Sequence, residues 1–287
     1  MHTPFPIPVV AAFGPGSQAE DEAPAFLPMP REMATWQPPS LPEPEAFEQH
    51  DDAVAALHAA HTMLGRWLGG EAVLPVDLSG LQEADRRLIH QVLGEGEVAA
   101  QVDGGHGLQA QESVFAGVWR VLRLDAQGRA LRDTIEVGPI PAGVATTARA
   151  DGAAGHAVDA PQPADLMNAP AVLAELADAQ RRWQPGVPQH VVNLTLLPLT
   201  AGDSAWLQTR VGEGRVRVLS RGYGNCRIVD TALPRTWRVT YFNAQDLILL
   251  DTLEVGAVPE VACAARDDLA DSHQRLGEVL RWVETAA

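Results

Sequence analysis

The chain runs to 287 residues, 46% of them apolar, and carries a net charge of −16. That length and apolar share suffice for one large hydrophobic core or two medium ones. The acidity excludes a protein that tracks nucleic-acid phosphates, which needs a basic face, and it argues against docking on an anionic membrane.

No run of about 18 apolar residues is present, so no membrane-spanning helix is expected. The N-terminus, Met1-His2-Thr3-Pro4-Phe5-Pro6, has no positive stretch, and its prolines interrupt any apolar run, so no signal peptide is expected. Two cysteines in such a chain predict free thiols in a reducing cytoplasm rather than a structural disulfide.

Residues 1–50 are rich in proline, as in Phe5-Pro6-Ile7-Pro8 and Pro38-Pro39-Ser40-Leu41-Pro42-Glu43-Pro44, which predicts an extended arm. Phe26, Leu27, Met29, Met33 and Trp36 make it more apolar than a solvating tail needs, as suits a segment that lies on its own domain or on a partner.

A first unit is expected over 51–142. Val54, Leu57, His61, Leu64 and Leu68 recur at helical spacing until Gly69-Gly70 stops them. A strand at 73–78, a helix at 83–93 ended by Gly94, and several strands to Val137 follow. Residues 143–167, mostly Ala, Gly and Pro, read as a linker.

The second unit is expected over 168–287. Asn168 and Pro170 open a helix with Val172, Leu176, Ala179 and Trp183 on one face. A strand through Val192, Leu194 and Leu196 follows, and then Thr200 with Asp203 forms a capping box for a helix that Gly212 ends. Strands are expected at 215–221, 226–230, 236–242 and 247–254, and a closing helix from about 260 to 282. Short strands joined by short turns give an α+β fold: an antiparallel meander with helices on one face.

The two units look alike. Shifted by 118 residues, 94–141 and 212–259 align without gaps and share 17 of 48 residues, including Trp119 with Trp237 and Asp133-Thr134 with Asp251-Thr252. This predicts an internal duplication of a helix–strand–helix–meander unit, and not a solenoid, which needs about three repeats or more.

Both cysteines belong to the second unit alone: at the shifted positions the first unit has Leu108 for Cys226 and Ala145 for Cys263. Cys226 closes the segment Arg221-Gly222-Tyr223-Gly224-Asn225-Cys226-Arg227, whose glycines suit a hairpin turn that presents Tyr223. Either Cys226 is a small buried strand residue, or Arg221 and Arg227 favour its thiolate. Cys263 is expected near a helix start, in an apolar bed of Val261, Ala262, Ala264 and Ala265. His58 and His61 are three apart on one helix but have no third metal ligand placed beside them. His61 and His273 fall on apolar stripes and read as core or interface histidines. No GxSxG, phosphate-loop, GxGxxG, HExxH or CxxC motif is present.

The run Val218-Leu219-Ser220-Arg221-Gly222-Tyr223-Gly224-Asn225-Cys226-Arg227-Ile228, with Tyr241-Phe242-Asn243, Leu250 through Val255 and Val258 through Ala265, resembles the C-terminal region of the HupH/HyaF/HoxQ family of [NiFe]-hydrogenase maturation proteins. The arm, through Leu27-Pro28-Met29-Pro30 and Leu41-Pro42-Glu43-Pro44, is similar to that family's N-terminus. The resemblance implies a cytoplasmic, non-enzymatic chaperone. It would bind the iron–sulfur small-subunit precursor of an uptake hydrogenase before export, beside a thioredoxin-like partner. It brings no cofactor and no catalytic residue with it. On this reading the partner contact is the turn from Arg221 to Arg227. The alternatives left open are a thiol-dependent enzyme using Cys226 and an Fe–S or metal carrier using Cys226 and Cys263.

Overall fold

The computed structural model describes residues 41–104, 107–154, 163, 165–222 and 224–286, less the side chains at 44, 151–154, 285 and 286. Most of the expected arm therefore lies outside the described residues. Its last part does not: Pro44–Phe47 forms a 3-10 turn, and Phe47 is buried in the core, so the folded body begins before residue 51.

In chain order the elements are α1 (Asp51–Leu68), β1 (Val76–Asp77), α2 (Glu83–Leu93), β2 (Val98–Val102), β3 (Leu108–Glu112), β4 (Val118–Leu124), β5 (Ala130–Val137) and α3 (Ala142–Ala154). The second half continues with α4 (Ala169–Arg182), β6 (His190–Asn193), α5 (Ala201–Val211), β7 (Val216–Ser220), β8 (Asn225–Asp230), β9 (Thr236–Phe242), β10 (Ile248–Val255) and α6 (Arg266–Ala286).

Local chemistry explains the helix ends. Asp51 and Asp52 lie in the first turn of α1, where the positive end of the helix dipole favours acids. Thr200 and Asp203 form the reciprocal capping box of α5. Asp203 is fully buried, and its Oδ1 also accepts the N–H groups of Met167, Asn168 and Ala169, which fixes α4 to α5. Burial would raise its pKa, but the N–H donors led by Ala169 and Thr200 outweigh that and hold it at about 2. Part of the expected linker is helical: 142–154 is α3, and its Val144 and Ala148 pack into the core.

The strands form one ten-stranded antiparallel sheet in the order β1-β5-β4-β3-β2-β7-β8-β9-β10-β6. Its halves correspond numerically. The bounds of α2 and α5, β2 and β7, β4 and β9, and β5 and β10 each differ by 118 at both ends. Left-handed backbone recurs at the same offset, at Gly94 and Gly212, Gly117 and Arg235, and Gly128 and Asp246. The ion pair Arg120–Asp133 has its counterpart in Arg238–Asp251.

Strand alternation gives the sheet two unlike faces. On one, Val102, Ala110, Trp119, Val121, Val218, Ile228, Trp237 and Val239 form a core with α3 and with Ala262 of the 3-10 turn Glu260–Ala262. On the other, helices stand only over the ends. One cluster joins α1, α2 and α6 to Ile135 of β5, and another joins α4 and α5 to Leu253 of β10. The expectation of helices on a single face is therefore corrected, because the sheet needs cover on both. The closing helix starts later than expected, at Arg266, and packs against α1 in the first half.

Candidate functional site

The turn expected from the glycines is a hairpin: Ser220 pairs with Cys226, and β7 runs antiparallel to β8. Gly224 has φ of 100°, a conformation that a side chain would strain. The Arg221 N–H donates to the Glu97 carbonyl at 3.0 Å, which ties the turn to the residue before β2. Arg221, Gly222, Gly224, Asn225 and Arg227 are exposed; Tyr223 lies outside the described residues.

Cys226 does not share that exposure. It points into the core and is buried, whereas Arg227, next along the strand, points to the opposite face. Burial raises the thiol to about 11, although Tyr241 hydrogen-bonds it, and Glu254 pushes the same way as burial. Of the two readings of Cys226, the small buried strand residue holds and the arginine-favoured thiolate does not: the side chain is desolvated in the core, and the neighbouring Arg227 guanidinium lies across the sheet. Cys263 follows the Glu260–Ala262 turn and sits three residues ahead of α6, not within its first turn. Burial, then Glu260 and Glu112, raises it also to about 11. Both thiols are free. Among the described residues no group of three or more His, Cys, Asp or Glu is placed to hold a metal ion.

Among the described residues, the half-open sheet face is concave. A cavity of about 570 Å³ lies between α5 and the strands β8 to β10, lined by Leu207, Val211, Phe242, Ile248 and Leu253 among others. A second, also about 570 Å³, runs over β3, β2, β7 and β8, floored by Gln101, Gln109, Gln111, Arg217 and Leu219. Arg227 lines both. Arg120 and Arg238 stand at the two sides of this face, each held by two hydrogen bonds to its aspartate, and Arg120 also meets Nδ1 of His90 at 2.8 Å.

Of the described contact residues, Arg227 alone lines these cavities; Arg221, Gly222, Gly224 and Asn225 stay at the turn, Cys226 belongs to the core on the opposite face, and Cys263 is half-buried outside the sheet. The groove itself escaped the sequence reading. Its signal was present in the parity of the strands, since the polar Gln101, Gln109 and Gln111 alternate with core residues on β2 and β3.

Fold and site together define an α+β protein built on one antiparallel sheet, with a sheet face left open between two groups of helices. Its sequence matches the family model described as "HupH hydrogenase expression protein, C-terminal conserved region" twice, over residues 53–158 and 166–283. The chain belongs to this HupH hydrogenase expression protein family. It is 49% identical to the hydrogenase expression/formation protein HoxQ of Cupriavidus necator, over 97% of this chain and 98% of that one. It is 42% identical to HupH of Rhodobacter capsulatus over 99% and 100%, and 32% identical to the hydrogenase-1 operon protein HyaF of Escherichia coli over 96% of each. Among solved structures it is similar to the hydrogenase expression protein HupH from Thiobacillus denitrificans, at a TM-score of 0.37 and 32% identity, over 41% of this chain and 96% of that one.

Proposed function

We infer that this chain acts in hydrogenase maturation, as a cytoplasmic chaperone that holds the iron–sulfur small-subunit precursor before export and catalyses nothing itself. The observation that carries the reading is the relationship along nearly the whole chain to proteins named for hydrogenase expression and formation. The chemistry supports it. A buried and a half-buried thiol, both raised to about 11, are poor nucleophiles, which weighs against the thiol-enzyme reading. The chain is also read as two copies of one unit. The shared offset of 118 in element bounds and left-handed positions supports this, as does the twofold match to the family model.

Affinity capture from cells making an uptake hydrogenase tests the function. The small-subunit precursor should be retained, along with a thioredoxin-like partner. Tyr223→Ala should weaken retention by roughly thirtyfold without changing the melting temperature, since aromatic interface anchors are worth about 2 kcal/mol or more. Turnover of a small molecule by the pure protein, with its loss accounting for a maturation defect, would overturn the reading.

A further inference from the structure

We propose that the open sheet face between α2 and α5 is a docking groove for an acidic, apolar-flanked polypeptide segment, whose carboxylate meets Arg227 and whose leucine or phenylalanine enters the cavity beside α5. The proposal deepens the function above, and rests on its premise that the chain captures another polypeptide.

The charge argument is local. Three of the arginines on this face are already matched: Arg120 by Asp133, Arg238 by Asp251, and Arg217 by Asp103 and Glu213. Arg227 is exposed, lies where the two cavities meet, and makes no ion pair with any described residue. On a chain of net charge −16, a cation set on an open concave floor is the natural receptor for a partner's carboxylate.

The apolar argument comes from comparing the halves. Leu78 is fully buried in the cluster that α1, α2 and α6 build. The residue 118 further on, Leu196, stands 79% exposed near the leucines that line the cavity, and Leu247, Ile248 and Leu249 at the tip of the β9–β10 hairpin are also more than half exposed. A patch of this kind, beside a deep apolar recess, marks a surface that another molecule covers.

The shape selects a polypeptide. Strands β3, β2, β7 and β8 are consecutive in the sheet. At about 4.8 Å per strand the floor between the outer two is about 14 Å wide. That width takes one helix of about 10–12 Å diameter, or one extended segment. Gln111 Nε2 already donates to the carbonyls of Gly96, Val98 and Glu112, and Gln101 Nε2 to Asp103, so the floor offers the Gln109 amide and the side-chain oxygens of Gln101 and Gln111 to whatever lies on it.

The test is fluorescence anisotropy of the full chain with labelled 20-residue peptides tiling a hydrogenase small-subunit precursor. Peptides with Glu or Asp three or four residues from Leu or Phe should bind. Arg227→Glu and Leu196→Asp should each weaken them at least about tenfold, while Arg87→Glu on the outer surface of α2 should not. Replacing the peptide's Glu by Lys should restore binding to Arg227→Glu. Equal binding by the Arg227→Glu protein, binding only of basic peptides, or binding of no peptide would each overturn the proposal. So would competition by inorganic phosphate at the peptide's own affinity, which marks a simple anion site, or a dimer that Arg227→Glu abolishes, which makes a second copy the occupant. Whole precursor captured equally by wild type and Arg227→Glu keeps the chaperone function and sinks the groove. Acidic peptides bound with no precursor captured does the reverse.

Discussion

Ala100 and Val218, 118 residues apart in the chain, face each other across the middle of the sheet. Around them Val98 lies opposite Ser220 and Val102 opposite Val216, so each strand offers its partner the same sequence of positions. That is the pattern of a self-complementary contact, found here inside one chain. The seam joining the halves is thus a continuous backbone ladder.

The two sides of that seam should respond differently to truncation. Val218 is fully buried, so Val218→Ala removes two methyl groups from a packed site and should cost about 2 kcal/mol. Its neighbour Leu219 is 50% exposed on the open face, and Leu219→Ala should cost less than about 0.5 kcal/mol. Urea unfolding of both variants checks this, and similar losses would mean that the open face is not open.

Asp246 occupies a left-handed position, φ 57°, that Gly128 fills in the first half. The turns are built alike: Asp125 accepts the N–H groups of Gln127 and Arg129, and Asn243 those of Gln245 and Leu247. Asp246→Gly should therefore stabilise the protein by about 0.5 kcal/mol, the left-handed strain of a side chain less the extra freedom glycine gives the unfolded chain. A lower melting temperature would show that Asp246 contributes a contact worth more than its strain.

His61 and His273 stack across α1 and α6, with ring centroids 4.1 Å apart and planes 11° from parallel. Each ring packs where a side chain on the facing helix would stand, at Gly277 and Gly65 respectively. Burial, and then the neighbouring ring, lowers the pKa of His61 below its ordinary 6.5. The folded state thus favours neutral His61. The contribution is fully present above pH 6.5 and is lost as pH falls below it, when the unfolded chain binds the proton first. Melting temperature should drop between pH 7.5 and 5, and His61→Gln should flatten that drop. An unchanged slope would place the acid sensitivity elsewhere.

Both thiols should resist alkylation. With Cys226 and Cys263 each raised to about 11 by burial, iodoacetamide labelling of the native protein at pH 8 should be slow, and should become rapid only on unfolding. Fast native labelling that levels off below pH 8.5 would revive the nucleophile reading.

Much of the fold was legible because it rests on local chemistry. The Thr200–Asp203 cap, the glycine stops at 94 and 212 and the hairpin at Ser220 and Cys226 were all written in residues close in sequence. α3 was not, because an Ala- and Gly-rich stretch carries little periodic apolar signal, and its helix is held by Val144 and Ala148 against a sheet formed elsewhere. The groove was illegible for a related reason. Leu78 and Leu196 are the same residue at corresponding positions, and which of them stays exposed depends on where distant helices settle.

α6 carries that last point into the cell. It packs onto α1, and Arg266 hydrogen-bonds the carbonyl of Leu68, 198 residues earlier. During synthesis, Leu57 and Leu64 of α1 must wait for Leu276 and Leu280 to leave the ribosome before their shared cluster can close. At about 5–20 residues per second, that delay is of order 10–40 seconds. Such long-range closure is slow to form and leaves apolar surface bare meanwhile. Until its final helix arrives, a nascent chain of this protein lacks the α6 partner for the apolar face of α1, and a truncation that removes α6 should unfasten the first half, not the second.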